Sequence, residues 1–549
     1  MTEVADPGPE LAGPGDASVE AAWETRGGLV RAGIVLTALY LVSRLLGWLR
    51  LSVLAATFGT GRELDMFYSA FRIPDLMFQL VAAGALASAL IPMIAGLLAT
   101  GERDRAWRVT STVTNLMLLA LLVLSAIFEV AAPVIVPAIT PDFSPTELAS
   151  TVDLTRIMLA SPILLALGTV ATSALNAQGR FGAAALAPVV YNLGIIAGAL
   201  LLSAPLGVTG LALGVVAGSV AHLGVQVRPL LRTGFHYRPS IDLRDPRARQ
   251  TLVLLAPRAF GLGATQVVYL VVTSVASTLG TGAITEYNFA FSMLQIPIGV
   301  VGIPLGAVVF PSLARDHATG SSPDFVSLLM RASRLVVFLM LPLTGLVIVL
   351  SRPAVTVLFE YGRYDPVVTA TIAATLSFFI LGLVAHAILP VLARAFYARQ
   401  DTLTPVLAAL LTVVLNSALA VALAGPYGLV GIATSFTIAN GIEMIVLLVV
   451  LQHRLPAFDL AALGRLFLEA GAGTIAASVV AAFALGIVFG STQAAAGKVA
   501  SVAELVVGTV AFGVVFIALS SVMRIPELPS LVGYLARAAG RAGPGGASR

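Results

Sequence analysis

The chain has 549 residues, of which 58% are hydrophobic and 11% charged, with a formal net charge of +4 and no cysteine. A soluble domain carries roughly 25% charged residues, and surface-to-volume scaling cannot hide this much apolar surface from water, so lipid must be the solvent. That excludes a soluble enzyme or nucleic-acid binder, and the missing cysteine excludes disulfides and thiol catalysis.

Residues 1–28 are rich in Pro, Gly, Ala and acids and lack the basic start and apolar run of a signal peptide, which predicts a disordered tail. Apolar stretches long enough to cross a bilayer follow at 31–58, 66–98, 108–138, 150–177, 181–204, 208–231, 250–279, 284–312, 324–350, 366–398, 403–424, 427–452, 462–490 and 499–523. Prolines inside them (Pro74, Pro133, Pro162, Pro257, Pro297, Pro342, Pro390) are tolerable where neighbouring helices satisfy the freed backbone groups. Residues 526–549 read as a second polar tail.

The basic residues test this count. With both termini and every even-numbered gap on one side, that side collects 21 arginines and the other only Arg62, Arg352, Arg363 and Lys498. Positive charge is retained in the cytoplasm, so the pattern predicts an even number of spans with both termini cytoplasmic.

The chain also matches itself at a shift of about 221 residues: Gly59-Thr60-Gly61 recurs as Gly280-Thr281-Gly282, and Gly207…Gly210 as Gly428…Gly431. Ile91-Pro92 recurs as Phe310-Pro311, and Ala99-Thr100-Gly101 as Ala318-Thr319-Gly320. A six-helix unit is even, so both copies face the same way across a seam, and transporters of this kind bind substrate between their halves. The fold expected is an all-α polytopic membrane protein of about fourteen helices. An N-lobe at 29–235 and a C-lobe at 236–455 form a parallel pseudo-twofold repeat, and a final helix pair occupies 456–525.

Seven arginines remain within spans. An intramembrane charge costs roughly 2.5–3.5 kcal/mol at a helix centre and so faces a cavity or a partner. Arg331 and Arg334 are expected to snorkel to the surface, and Arg156 to pair with Asp153 three residues before it. Arg44, Arg50, Arg72 and Arg258 are the candidates to face a ligand; guanidinium groups in a wet cavity suit an anion, phosphate above all. The competing expectation is pairing with Asp65, Asp75 or Glu286. Glu129, His222, His386 and Glu443 are isolated, and packing roles are expected for them. No histidine has metal-ligand spacing, and no catalytic constellation, cofactor motif or glycine-rich phosphate loop is present.

Several segments together resemble the MurJ/MviN lipid II flippases: Ser43-Arg44-Leu45-Leu46-Gly47 with Arg50, Asp65 through Arg72-Ile73-Pro74, Leu175-Asn176 through Arg180-Phe181 and Ala187-Pro188 to Asn192, and Phe396-Tyr397-Ala398-Arg399-Gln400-Asp401 with Thr404-Pro405. The resemblance implies the multidrug/oligosaccharidyl-lipid/polysaccharide exporter fold. It implies movement of an undecaprenyl-diphosphate-linked peptidoglycan precursor across a bacterial inner membrane, with membrane lipids and other cell-wall synthesis proteins as further candidate partners. It places Arg44 and Arg50 in a central cavity, makes Asp65 important and gives the last helix pair a lipid-tail groove. Thr285 keeps a hydroxyl that some members have. The chain departs from the pattern at Phe78-Gln79, Ala83, Ser292 and Gln295, where members often carry charge. Two other readings remain: a non-transporting scaffold for cell-wall synthesis, and a drug/cation antiporter of the same superfamily, which would require acidic cavity residues.

Overall fold

The computed structural model describes residues 38–39, 41–81, 85–490 and 497–533; the side chains of 85, 87, 88, 252 and 254–265 lie outside the described set. The two predicted tails therefore lie wholly or largely outside it, as do Ala83 and the side chain of Arg258. Every element among the described residues is helical.

The N-lobe begins with α1 (Leu41–Phe58). It continues through α2 (Arg62–Val81), α3 (Ala85–Ala99), α4 (Arg103–Ile139), α5 (Pro145–Met158), α6 (Ala160–Asn176), α7 (Phe181–Ala197), α8 (Ser203–Leu206) and α9 (Val208–Leu231). The C-lobe comprises α10 (Pro246–Ser277), α11 (Ala283–Pro297), α12 (Ile303–Ala318), α13 (Ser322–Phe359), α14 (Thr369–Leu381), α15 (Leu383–Ala398) and α16 (Leu403–Arg454). The last pair is α17 (Leu460–Phe489) and α18 (Lys498–Val522).

Ten of the described helical segments are long and apolar enough to cross a bilayer, or eleven with α14–α15 taken as one span bent by 41°. The 52 residues of α16 would reach about 78 Å if straight, more than twice the hydrocarbon core. They break at Gly428, whose φ of 58° and ψ of −140° are not helical, so α16 supplies two spans. The second predicted span, 66–98, falls on α2 and α3, with residues 82–84 outside the described set, and α2 carries five charged residues in 20. With α2–α3 and α10 counted, the arrangement is consistent with fourteen crossings.

The repeat is visible in the backbone. Gly207 (φ 56°, ψ −139°) has the same kink as Gly428 221 residues later. Gly59 and Gly280 are likewise both at positive φ, as are Gly179 and Gln400. Only glycine adopts this region freely, so Gln400 keeps the turn at the cost of a side chain in the left-handed region.

Local chemistry sets several helix starts. Ser144 and Glu147 form a capping box with Pro145 in the first turn of α5. Asp245 caps α10 through the N–H of Arg247, ahead of Pro246. Within the N-lobe, α7 and α9 meet through glycines: a methyl group on Gly214 would lie 2.7 Å from Gly198 Cα, and Gly194 abuts Gly218. This spacing of small residues lets two backbones touch in lipid, where no hydrophobic force separates helix from solvent.

The linker 232–245 between lobes is sewn onto α4. Asn115 Nδ2 donates to the carbonyls of Arg238 (3.0 Å) and Ser240 (2.8 Å). The Tyr237 hydroxyl donates to Asn115 Oδ1 (2.6 Å), Arg238 N–H donates to Ser111, and Arg105 holds Asp245 through two N–H groups.

Several intramembrane charges find partners the sequence did not indicate. Arg156 reaches Glu129 at 3.2 Å, closer than the expected Asp153 at 4.0 Å. Arg334 does not simply snorkel: it pairs with Glu527 and donates to the Ala462 carbonyl, tying the end of the chain and α17 to α13. Thr412 donates to Glu443, and His386 Nδ1 lies 3.0 Å from Asn440 Oδ1, so both have structural partners.

Candidate functional site

A cavity of about 600 Å³ lies between the lobes, walled by α1 and α7 on one side and α11 on the other. α1 contributes Arg44, Trp48 and Arg50; α7 contributes Pro188, Tyr191 and Asn192; α11 contributes Phe291, Ser292 and Gln295. Arg50 and Tyr191 also line a smaller inner chamber of about 70 Å³ with Tyr68, whose hydroxyl is buried and unpartnered.

Among the described residues neither Arg44 nor Arg50 has a carboxylate within ion-pair distance, and no acid lines the cavity. The expected competitors Asp65, Asp75 and Glu286 do not neutralise them. The Arg44 guanidinium lies over Gly299 of the opposite lobe, where a methyl group would come within 2.7 Å of Nη1. Gly299 sits in a π-helical turn, Ile298–Gly302, between α11 and α12. Among the described residues the walls are thus asymmetric: both cations come from α1, and the facing wall is neutral at Ser292 and Gln295.

The other candidates fall elsewhere. Arg72 does not face the cavity: its Nε donates to Thr273 Oγ1 and its Nη2 to Asn288 Oδ1, each at 2.9 Å, and it lies 5.4 Å from the Tyr269 ring centroid. It bridges α2 to α10 and α11 with neutral acceptors, which no search for opposite charges would find. The Arg258 side chain lies outside the described residues.

Asp65 and Thr285, expected at the substrate, bind each other instead. Asp65 is fully buried and accepts three hydrogen bonds: Gly282 N–H at 2.6 Å, Thr285 N–H at 2.9 Å and the Thr285 hydroxyl at 2.8 Å. A carboxylate from α2 therefore caps the N-terminus of α11 across the seam, where the helix dipole favours negative charge. Backbone joins the same closure. Arg363 N–H donates to the Ala56 carbonyl at 2.7 Å, and a methyl group on Gly59 would lie 2.8 Å from the Arg363 carbonyl. Gly282 packs on Thr60, and Gly362 on Ala56. The seam is thus shut at the arginine-poor end, while the cavity sits toward the opposite end, where α1 begins.

Trp48, Tyr191 and Asn192 line the cavity without having been singled out as site residues. The signal for Asn192 was the Ala187-Pro188…Asn192 segment; nothing in the sequence marked Tyr191.

The family model described as "Lipid II flippase MurJ" matches residues 54–508. A "Probable lipid II flippase MurJ" of Rhizobium meliloti is 34% identical over 424 residues, covering 75% of this chain and 78% of the relative. A "Lipid II flippase MurJ" of Burkholderia cenocepacia is 31% identical over 386 residues, covering 69% and 75%. Among solved structures, "Lipid II flippase MurJ, inward closed conformation" aligns with a TM-score of 0.75 at 22% identity, covering 89% of this chain and 99% of that one. An inward-facing multidrug resistance MATE family transporter aligns with a TM-score of 0.63 at 16% identity, covering 78% and 98%. The matched span runs from the last turn of α1, beyond Arg44 and Arg50, through both lobes into α18: this chain belongs to the MurJ family of lipid II flippases.

Proposed function

We propose that the chain moves lipid II across a bacterial inner membrane by alternating access, with its arginine-rich face and both termini in the cytoplasm. The observation that carries this reading is the pair Arg44 and Arg50, with no carboxylate within ion-pair distance among the described residues, on the wall of a cavity between two lobes. A diphosphate supplies the missing anion through bidentate hydrogen bonds. The lobes then rock, closing the arginine-rich end and opening the other, while the lipid tail stays in the membrane beside α17 and α18. No bond of the cargo breaks, so the residues bind and position rather than react. Membrane lipids are the tail's other neighbours, and cell-wall synthesis enzymes are the partners that would consume the product.

A leaflet-accessibility assay for lipid II in depleted and complemented cells tests this. Hydrogen bonds to charged groups contribute about 1.5–3 kcal/mol each, so Arg44→Ala or Arg50→Ala loses at least about tenfold in flipping and the double variant loses it altogether. Normal flipping by the double variant would sink the site. The neutral wall at Ser292 and Gln295 favours a second reading, a non-transporting scaffold for cell-wall synthesis; absence of flipping by the wild type, with cell-wall growth still restored, selects it. That no acid lines the cavity among the described residues speaks against a drug/cation antiporter.

A further inference from the structure

The closure at the arginine-poor end leaves one acid without a partner. Glu286, in the first turn of α11, is 8% exposed, and its carboxylate has no hydrogen bond or ion pair among the described residues. Its Oε1 packs over Gly282, where a methyl group would lie 3.2 Å away. The N–H of that same Gly282 is donated to Asp65. Two carboxylates, one from each lobe, therefore meet at one glycine.

Their surroundings differ. Asp65 accepts from three donors and has Arg62 at 4.0 Å. Arg62 is itself engaged by Glu147 at 3.2 Å. Glu286 faces Asp65 from α2 and Tyr364, with Glu360 and Asp365 beyond it, from the segment after α13. No lysine or arginine of these elements pairs with it. A carboxylate largely buried without donors, beside a second carboxylate, costs less to keep there with a proton than without one.

We propose that Glu286 is a proton-binding site of the closed seam: it holds a proton while the arginine-poor end is shut and releases it to the adjoining water when the lobes part there. Closing takes up one proton and opening gives it back on the same side. The two ends of the transport cycle are therefore linked to pH on that face, whatever the cargo.

The chain has no cysteine, so Thr146→Cys on α5 and Val367→Cys before α14 can be spin-labelled as a clean pair across the seam. The labelled full-length protein is measured by pulsed dipolar spectroscopy in lipid nanodiscs without lipid II. The open-to-closed ratio is expected to rise with pH by up to about tenfold per unit, the limit for one linked proton. Adding Glu286→Gln should hold the seam closed and flatten the response. A wild-type ratio independent of pH overturns the proposal. So does an unchanged pH response in Glu286→Gln, a response abolished by Asp65→Asn but not by Glu286→Gln, or a ratio that follows sodium rather than pH when choline replaces it. Thermal melting of each variant establishes that it is folded, and the wild-type arm stands even if a variant is not.

Discussion

The side chains that decide this molecule's chemistry differ in how visible they were beforehand. Arg44 and Arg50 were legible because an unpaired intramembrane charge is expensive wherever it occurs. Asp65 was legible as important but not in its role, since its partners lie 217 and 220 residues away and two of its three donors are backbone N–H groups. Replacing it with Ala removes those acceptors and uncaps α11. The closed seam should weaken by about 2 kcal/mol, roughly thirtyfold in the open-to-closed ratio. Maleimide labelling of a cysteine at Thr60, which packs on Gly282, should accelerate accordingly. Unchanged labelling would mean the backbone contacts hold the seam alone.

Asp401 illustrates a second residue-scale effect. Partial burial raises its affinity for a proton, but the Thr404 hydroxyl and N–H and the Arg454 guanidinium outweigh that and hold it at about 2. A carboxylate lowered in the folded state stabilises above its unfolded value and loses that contribution as pH falls toward its folded value. Acid should therefore destabilise the wild type between the ordinary carboxylate range and about pH 2, and Arg454→Ala should narrow that window from below. Unfolding temperature against acid pH reads the difference. Arg454 is 44% exposed, so solvent screening keeps the effect small.

At the scale of elements, apolar length fixed the spans well, but breaks and bends escaped it. The 41° bend of α14–α15 and the π-helical turn at 298–302 arise where tertiary packing overrides local propensity. The linker stitched to α4 was equally hidden, because Ser111 and Asn115 read as ordinary polar residues of a helix. Glycine contact between α7 and α9 is the most testable element-level feature. Gly214→Ala would place a methyl 2.7 Å from Gly198 Cα, whereas Gly224→Ala on the same helix meets nothing within 4 Å. The first should cost about 1–3 kcal/mol through overpacking, and the second should gain up to about 1 kcal/mol in helix propensity. Melting temperatures moving in the same direction would refute the packing argument.

For the whole molecule, the asymmetry of the cavity carries the consequence. Among the described residues both cations belong to α1, and the α11 wall opposite offers Phe291, Ser292 and Gln295. An anion held this way is attached to one lobe, so rocking need not break an ion pair to the other. The departure at Ser292 and Gln295 was visible in the sequence as a resemblance that fails locally; its meaning needed the knowledge that both residues line the same cavity as Arg44. Ser292→Arg would put a guanidinium on the second wall. A diphosphate would then be bound from both lobes, and the state in which both walls reach it would be favoured over the state in which they part. Retention of lipid II by the purified protein should rise about tenfold, the value of one charge-assisted hydrogen bond, while flipping at saturating substrate should fall, because that interaction strengthens the ground state without helping the step that follows. If Ser292→Arg instead raises both retention and flipping, the second lobe takes a direct part in carrying the charge, and the one-sided cavity is a defect of this chain rather than its way of working.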